Sequence, residues 1–186
     1  MKLKQIDNFL TVKSAEKGKL SAVASTPAVD RDGEVLLPAA FAEDLAKYRA
    51  NPVIMAAHQH RSDSGMPTII GSAGRIEIED DALVFEMTFA RTEVAKAWQS
   101  LYEDGHARAF SVGFIPKEGE WKEQGDESVY VFTRVELLEI SAVAVPANPE
   151  AVARGIDPDE IKNLVDSRVK HILNNWYAKR LAACLD

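Results

Sequence analysis

The chain has 186 residues, 46% of them hydrophobic and 27% charged, with a formal net charge of −7. That length and apolar share suit one soluble domain with a full core, and the acidic balance, without any Lys/Arg cluster, argues against nucleic-acid binding through a broad basic surface. The single cysteine, Cys184, excludes an internal disulfide.

The first residues, MKLKQIDNFLTVKSAEKGKL, lack the apolar core and small-residue cleavage site of a signal peptide. No apolar run approaches the roughly 20 residues needed to span a bilayer. The expectation is a cytosolic protein with no membrane partner. Lys4–Val12 and Lys19–Ser25 read as two strands of a hairpin around SAEKGK. TPAVDRDGEVLLP follows, rich in turn formers around Asp30–Gly33. Pro38 opens a predicted short helix, PAAFAEDLAKYR, with Phe41, Leu45 and Tyr48 on one face. NPVIMAA reads as a buried strand, and HRSDSGMP as a polar loop.

Ile69–Ile78 and Ala82–Phe89 form a predicted hairpin turning at Asp80–Asp81, with Leu83, Phe85, Met87 and Phe89 at period 2. Thr92 is the expected cap of a helix, TEVAKAWQSLYED, that Gly105 ends. A strand over Arg108–Pro116 leads to an acidic, glycine-containing loop from Lys117 to Glu127. Ser128–Arg134 is the next strand, and Val135–Val145 is the most β-like run of all, stopped by the prolines of PANPEA. Many short antiparallel strands with two inserted helices predict a β-barrel or closed sheet with peripheral helices. Beyond it, Asp157, Pro158 and Glu160 start a long helix whose apolar stripe includes Leu164, Ile172, Trp176 and Leu181. Packing on the barrel is the simpler expectation for this helix, and self-association into a homo-oligomer is the alternative. The predicted organisation is thus a domain over residues 1–156 and an amphipathic helix over 157–186.

Three apolar stretches each hold one reactive polar residue: His58 after NPVIMAA, Ser111 in ARAFSVGF and Glu139 in VELLEIS. A hydroxyl, an imidazole and a carboxylate are the parts of a nucleophilic hydrolase. Burying a polar group without a partner costs roughly 2–7 kcal/mol, and a charge more, so such residues are expected to be paired. Alone, Ser111 would pass for a small residue on a polar strand face, although Gly113 beside it permits a close approach. Glu139 is hemmed in by Leu137, Leu138 and Ile140, whereas Glu136, of opposite parity, is expected on the other side of a regular strand. The chain order His, Ser, acid differs from the orders of chymotrypsin, subtilisin and the α/β-hydrolases.

Two other readings stay open on these residues. His58 and His60 share one strand face and, with Asp63, would make a metal-dependent hydrolase. A non-catalytic assembly or scaffold module, with an inert barrel, is the third.

Taken together, DRDGEVLLPAAF (30–41), NPVIMAAH (51–58), GSAGRI (71–76), ARAFSVGFIP (107–116) and ELLEISAVAVPANPEA (136–151) resemble the prohead (capsid-maturation) serine proteases of tailed bacteriophages, relatives of the herpesvirus assemblin proteases. The resemblance covers about the first 155 residues. It implies an α+β fold, a mostly antiparallel β-barrel surrounded by helices, to which the long C-terminal helix is added. It implies Ser111 as nucleophile, His58 as general base and Glu139 as third member; on the residues alone, His60 is a lesser candidate, either a second site residue or a solvated loop histidine. By analogy the backbone N–H groups of Ala147 and Asn148 hold the oxyanion. The implied activity is endopeptidase cleavage of scaffold and capsid-protein segments, and of the protease itself, inside the immature capsid in the host cytoplasm. Capsid and scaffold proteins are the implied partners, with no cofactor, metal or nucleic acid.

Overall fold

The computed structural model describes residues 18–60, 67–124 and 127–154. All of them belong to the compact unit Met1–Gly155. The predicted strand Lys4–Val12, Asp63 and the predicted helix over 157–186 lie outside the described residues.

Seven strands form one curled sheet, and few helices accompany it. β1 (Lys19–Ser25), β5 (Ala82–Phe89), β4 (Ile69–Glu79), β3 (Val53–Ala56) and β7 (Glu127–Val143) are neighbours in that order, while β6 (Ala109–Gln124) pairs with the other edge of β7. Most pairings are antiparallel. The exceptions are β3 and the short β2 (Glu34–Leu36), which run parallel to β7 at Ile140–Ala142 and Tyr130–Phe132 respectively. The segment Ala151–Arg154 bridges the outer strands of the curl. Phe110 N–H donates to Ala151 O (2.9 Å), and Val23 N–H donates to Val152 O (3.0 Å).

Local sequence accounts for the well-defined elements. β1 spans the predicted residues. The β4–β5 hairpin turns at Asp80 and Asp81, whose φ values of 47° and 59° match the right-handed twist of the strands. Thr92 Oγ1 accepts from Ala95 N–H (3.3 Å) at the start of α2 (Glu93–Glu103), and Gly105 at φ 77° follows its end. The single helix predicted after Pro38 is two pieces, a 3-10 turn over Pro38–Phe41 and α1 over Leu45–Ala50. Phe41, Leu45 and Tyr48 are nevertheless all buried, as their shared face required.

Two predicted boundaries are corrected. Lys117–Gln124 is strand and not loop, because β6 continues through it, paired with β7 across shifts of register, to Gln124 opposite Glu127. Cross-strand packing compensates for the weak local pattern there: Trp121 meets Tyr130 edge-on at 5.3 Å. A Cβ at Gly119 would come within 2.7 Å of the Tyr130 ring, so this glycine is a packing residue, not a turn residue. The strand predicted to reach Val145 ends at Val143.

The inner face of the curl carries the core. Ala22 of β1, Ile70 of β4, Leu83 and Phe85 of β5, Phe110 of β6 and Ile140 of β7 are all fully buried. Phe110 lies at its centre, edge-on to Phe85 and stacked on Tyr102 of α2, each at 5.0 Å between centroids. Burial of each of the Ile, Leu and Phe side chains contributes about 1.5–3 kcal/mol.

Candidate active site

The site is built on three adjacent strands, β3, β7 and β6, on the side of the sheet away from the core. Core residues from Val135 onward on β7 are Val135, Leu137, Ile140 and Ala142, so the two-residue period slips by one between Leu137 and Ile140. The ladder shows the cause: Gly113 faces Glu139 and Phe114 faces Leu137, which leaves Leu138 as the extra residue of a bulge. Such bulges re-aim side chains. The bulge turns both Glu136 and Glu139 away from the core, correcting the expectation that they occupy opposite faces. Their surroundings still differ. Glu136 meets Lys117 Nζ (2.9 Å) and Lys47 Nζ (3.1 Å), and these ammonium groups hold its carboxyl below the usual range. Glu139 is only 1% exposed.

Glu139 is not alone there. Its Oε1 lies 2.6 Å from His58 Nδ1, and its Oε2 accepts from Ser141 Oγ at 2.6 Å. Ser141 Oγ in turn accepts from the backbone N–H of His58 (3.1 Å). Gly113 opposite leaves the room: an added Cβ would overlap Glu139 Oε1 and lie 3.0 Å from its Cγ and Cδ. A larger residue at 113 and a buried carboxylate at 139 exclude one another.

His58 reaches this carboxylate through a tight turn. The β3–β7 ladder runs one residue past β3, with Ala57 N–H donating to Ala142 O (2.9 Å). Ala57 and His58 then take φ values of 49° and 57°, and Gln59 N–H closes the turn on Ala56 O (3.0 Å). Left-handed backbone at non-glycine residues costs of order 1–3 kcal/mol each and persists where surrounding contacts enforce it. Here the enforcing contacts include the bonds to Ser141 and Glu139. The hydrogen bond to Glu139 is the main cause that raises the His58 pKa above 6.5, with the carboxylate charge adding to it and partial burial opposing it. Burial, and secondarily the nearby Glu139 charge, pushes the Tyr48 phenol far up. Its hydroxyl donates to Val53 O (2.9 Å) at the start of β3.

Ser111 is buried on β6, directly opposite Ser141. Directly opposed residues share a sheet face, so Ser111, Gly113, Ser141 and Glu139 form a square of positions on one side of the β6–β7 ladder. Tyr102 braces this part of β6, since its hydroxyl donates to Ala109 O (2.6 Å). Of the residues singled out from sequence, His58 and Glu139 are thus in direct contact, and Ser111 stands on the neighbouring strand. His60 is exposed, and its backbone N–H donates to His58 O (3.1 Å). Ala147 and Asn148 lie in the segment that leaves β7. Ala147 O accepts from Arg31 N–H (3.0 Å), and Asn148 Nδ2 donates to Thr26 O (2.9 Å). The same segment returns to β6 at Phe110, one residue before Ser111. Among the described residues, no group of three or more His, Cys, Asp or Glu side chains gathers as metal ligands would.

Sequence reasoning passed over Ser141. The signal was present: in E-I-S, residues i and i+2 of a strand share a face, so a hydroxyl beside a buried carboxylate was predictable.

The chain is 29% identical over 167 residues to the prohead protease of Escherichia phage T5, covering 85% of this chain and 68% of that protein. It is also 29% identical over 165 residues to the capsid polyprotein of Pseudomonas phage PAJU2, covering 84% of this chain but 23% of the polyprotein. The profile of the caudovirus prohead serine proteases matches residues 18–165, most of the chain. The chain therefore belongs to the caudovirus prohead serine protease family.

Proposed function

We propose that this protein is a serine endopeptidase that cleaves scaffold and capsid-protein segments, and itself, within the immature capsid, with Ser111 as nucleophile, His58 as general base and Glu139 as the orienting carboxylate. The observation that carries the reading is the 2.6 Å contact between His58 Nδ1 and the buried Glu139 carboxylate. With Nδ1 committed to the carboxylate, Nε2 is the nitrogen left to serve a nucleophile, and the carboxylate stabilises the imidazolium that forms. The capsid polyprotein among the relatives supports capsid protein as the substrate class. The bridging of β1 and β6 by Ala151–Arg154 supports closure of the curled sheet into a barrel.

Ser111 Oγ attacks the scissile carbonyl carbon while its proton passes to His58 Nε2. The tetrahedral intermediate collapses, the C–N bond breaks, and the amine leaves with the proton from Nε2. Water then attacks the acyl-enzyme, gives its proton to Nε2, and the ester breaks as Ser111 Oγ recovers that proton. The backbone N–H groups of Ala147 and Asn148 serve as oxyanion donors in this scheme, on a segment that Arg31 and Thr26 hold in place.

The test is co-expression with the cognate capsid and scaffold proteins, followed by mass spectrometry of the products. Ser111→Ala is expected to remove processing while leaving the fold intact, since loss of a nucleophile of this kind costs on the order of 10⁴–10⁶ in kcat. Processing by Ser111→Ala at the parental rate would refute the assignment.

A further inference from the structure

Ser141 is fully buried, and its hydroxyl is held between the His58 backbone N–H and the Glu139 carboxylate. The His58 backbone N–H only donates, so it takes a lone pair of Ser141 Oγ and leaves the hydroxyl hydrogen for Glu139 Oε2.

These bonds close a ring. It runs from His58 N–H to Ser141 Oγ, through Oε2 and Oε1 of Glu139, and back to His58 Nδ1. Both the backbone and the side chain of His58 are thus anchored to one three-residue stretch of β7. Rotating the Glu139 carboxylate would break two bonds at once, and so would letting the Ala57–His58 turn relax from its positive φ. A hydroxyl placed only to fill space on a strand needs neither bond.

We infer that Ser141 is a positioning residue, whose hydroxyl locks the Glu139 carboxylate and the His58 turn into one unit. The inference rests on the proposed roles of His58, Glu139 and Ser111. Removing the hydroxyl leaves Oε2 and the His58 N–H without this partner at a buried site. The imidazole then loses its fixed direction, while the exposed surface is unchanged, since Ser141 is fully buried.

The experiment compares Ser141→Ala, Ser141→Cys, Ser111→Ala and the parent on a peptide spanning a processing site. A hydrogen bond to a charged group, once lost, corresponds to roughly 10- to 100-fold. Ser141→Ala is expected to lose kcat by that factor with KM within about two-fold of the parent. Ser141→Cys, which keeps the shape and a weak donor, is expected to fall between the two. As a readout independent of turnover, the His58 Nδ1 proton is followed by NMR in the Ser111→Ala background. Its strongly hydrogen-bonded resonance is expected to shift upfield or vanish on adding Ser141→Ala. An unshifted resonance with unchanged kcat in either Ser141 variant overturns the inference. Cleavage by Ser111→Ala would instead overturn the proposed mechanism, so the two failures are distinct.

Discussion

Gly113 sits directly across the β6–β7 ladder from Glu139, and the volume of a methyl group at 113 is occupied by the Glu139 carboxylate. Backbone freedom is not what the site asks of this glycine, whose role is to leave a space. Gly113→Ala is expected to push the carboxylate away from His58 Nδ1. Overpacking of this kind costs about 1–3 kcal/mol of stability, and loss of the orienting acid lowers kcat by up to about 10⁴. Denaturant titration and peptide hydrolysis check both. A fully active Gly113→Ala would mean that the carboxylate position does not matter.

The two glutamates of VELLEIS give a paired prediction. Glu139→Gln keeps the shape and a carbonyl that can accept from Ser141, but it presents no charge to the imidazolium. Its kcat is expected to drop by on the order of 10³–10⁴ with the fold retained. Glu136→Gln removes a partner only from the exposed Lys47 and the partly exposed Lys117, and surface pairs of this kind contribute little. Parental activity and a nearly parental Tm are expected there. Equal losses in both variants would show that net charge on this face, and not the Glu139–His58 contact, governs the rate.

The pH dependence follows from the raised His58 pKa. A general base works only when neutral, so the acid limb of kcat/KM is expected above pH 6.5, the ordinary value for the group. Stability runs the other way. A group whose folded pKa lies above its unfolded value contributes stability that is fully present below the unfolded pKa and lost as pH rises through the folded one. Activity therefore appears over the window in which this contribution fades. A pH–rate profile with an acid limb below 6.5 would contradict the assignment, as would a Ser111→Ala protein whose stability shows no such fading relative to Ser111→Ala/His58→Gln.

Much of this was legible because local chemistry dictated it. The β4–β5 hairpin follows from alternation and two aspartates, and α2 from Thr92 and Gly105. His58 and Glu139 stood out as polar residues in apolar strands, and they are in contact. What stayed hidden depends on long-range partners. The outer half of β6 is polar and contains Gly119, so nothing local marks it as a strand until Tyr130 lies across from it. The bulge at Leu138 breaks the parity on which the placing of Glu136 relied. The left-handed turn at Ala57–His58 has no glycine or asparagine to announce it, because hydrogen bonds from residues more than 80 positions away enforce it.

Tyr102 shows how the helix α2 reaches the site without touching it. Its ring stacks on Phe110 with planes 15° apart, and its hydroxyl donates to Ala109 O two residues before Ser111. Burial pushes the phenol far above its usual pKa, so it remains a neutral donor at every working pH. Tyr102→Phe preserves the stack and removes one hydrogen bond from the Ala109 carbonyl, which costs about 1 kcal/mol. Because the ring still pins β6 from beneath, kcat on a peptide is expected to stay within about three-fold of the parent while the denaturation midpoint falls. A tenfold loss of kcat at unchanged stability would instead place the Tyr102 hydroxyl in the path of the reaction.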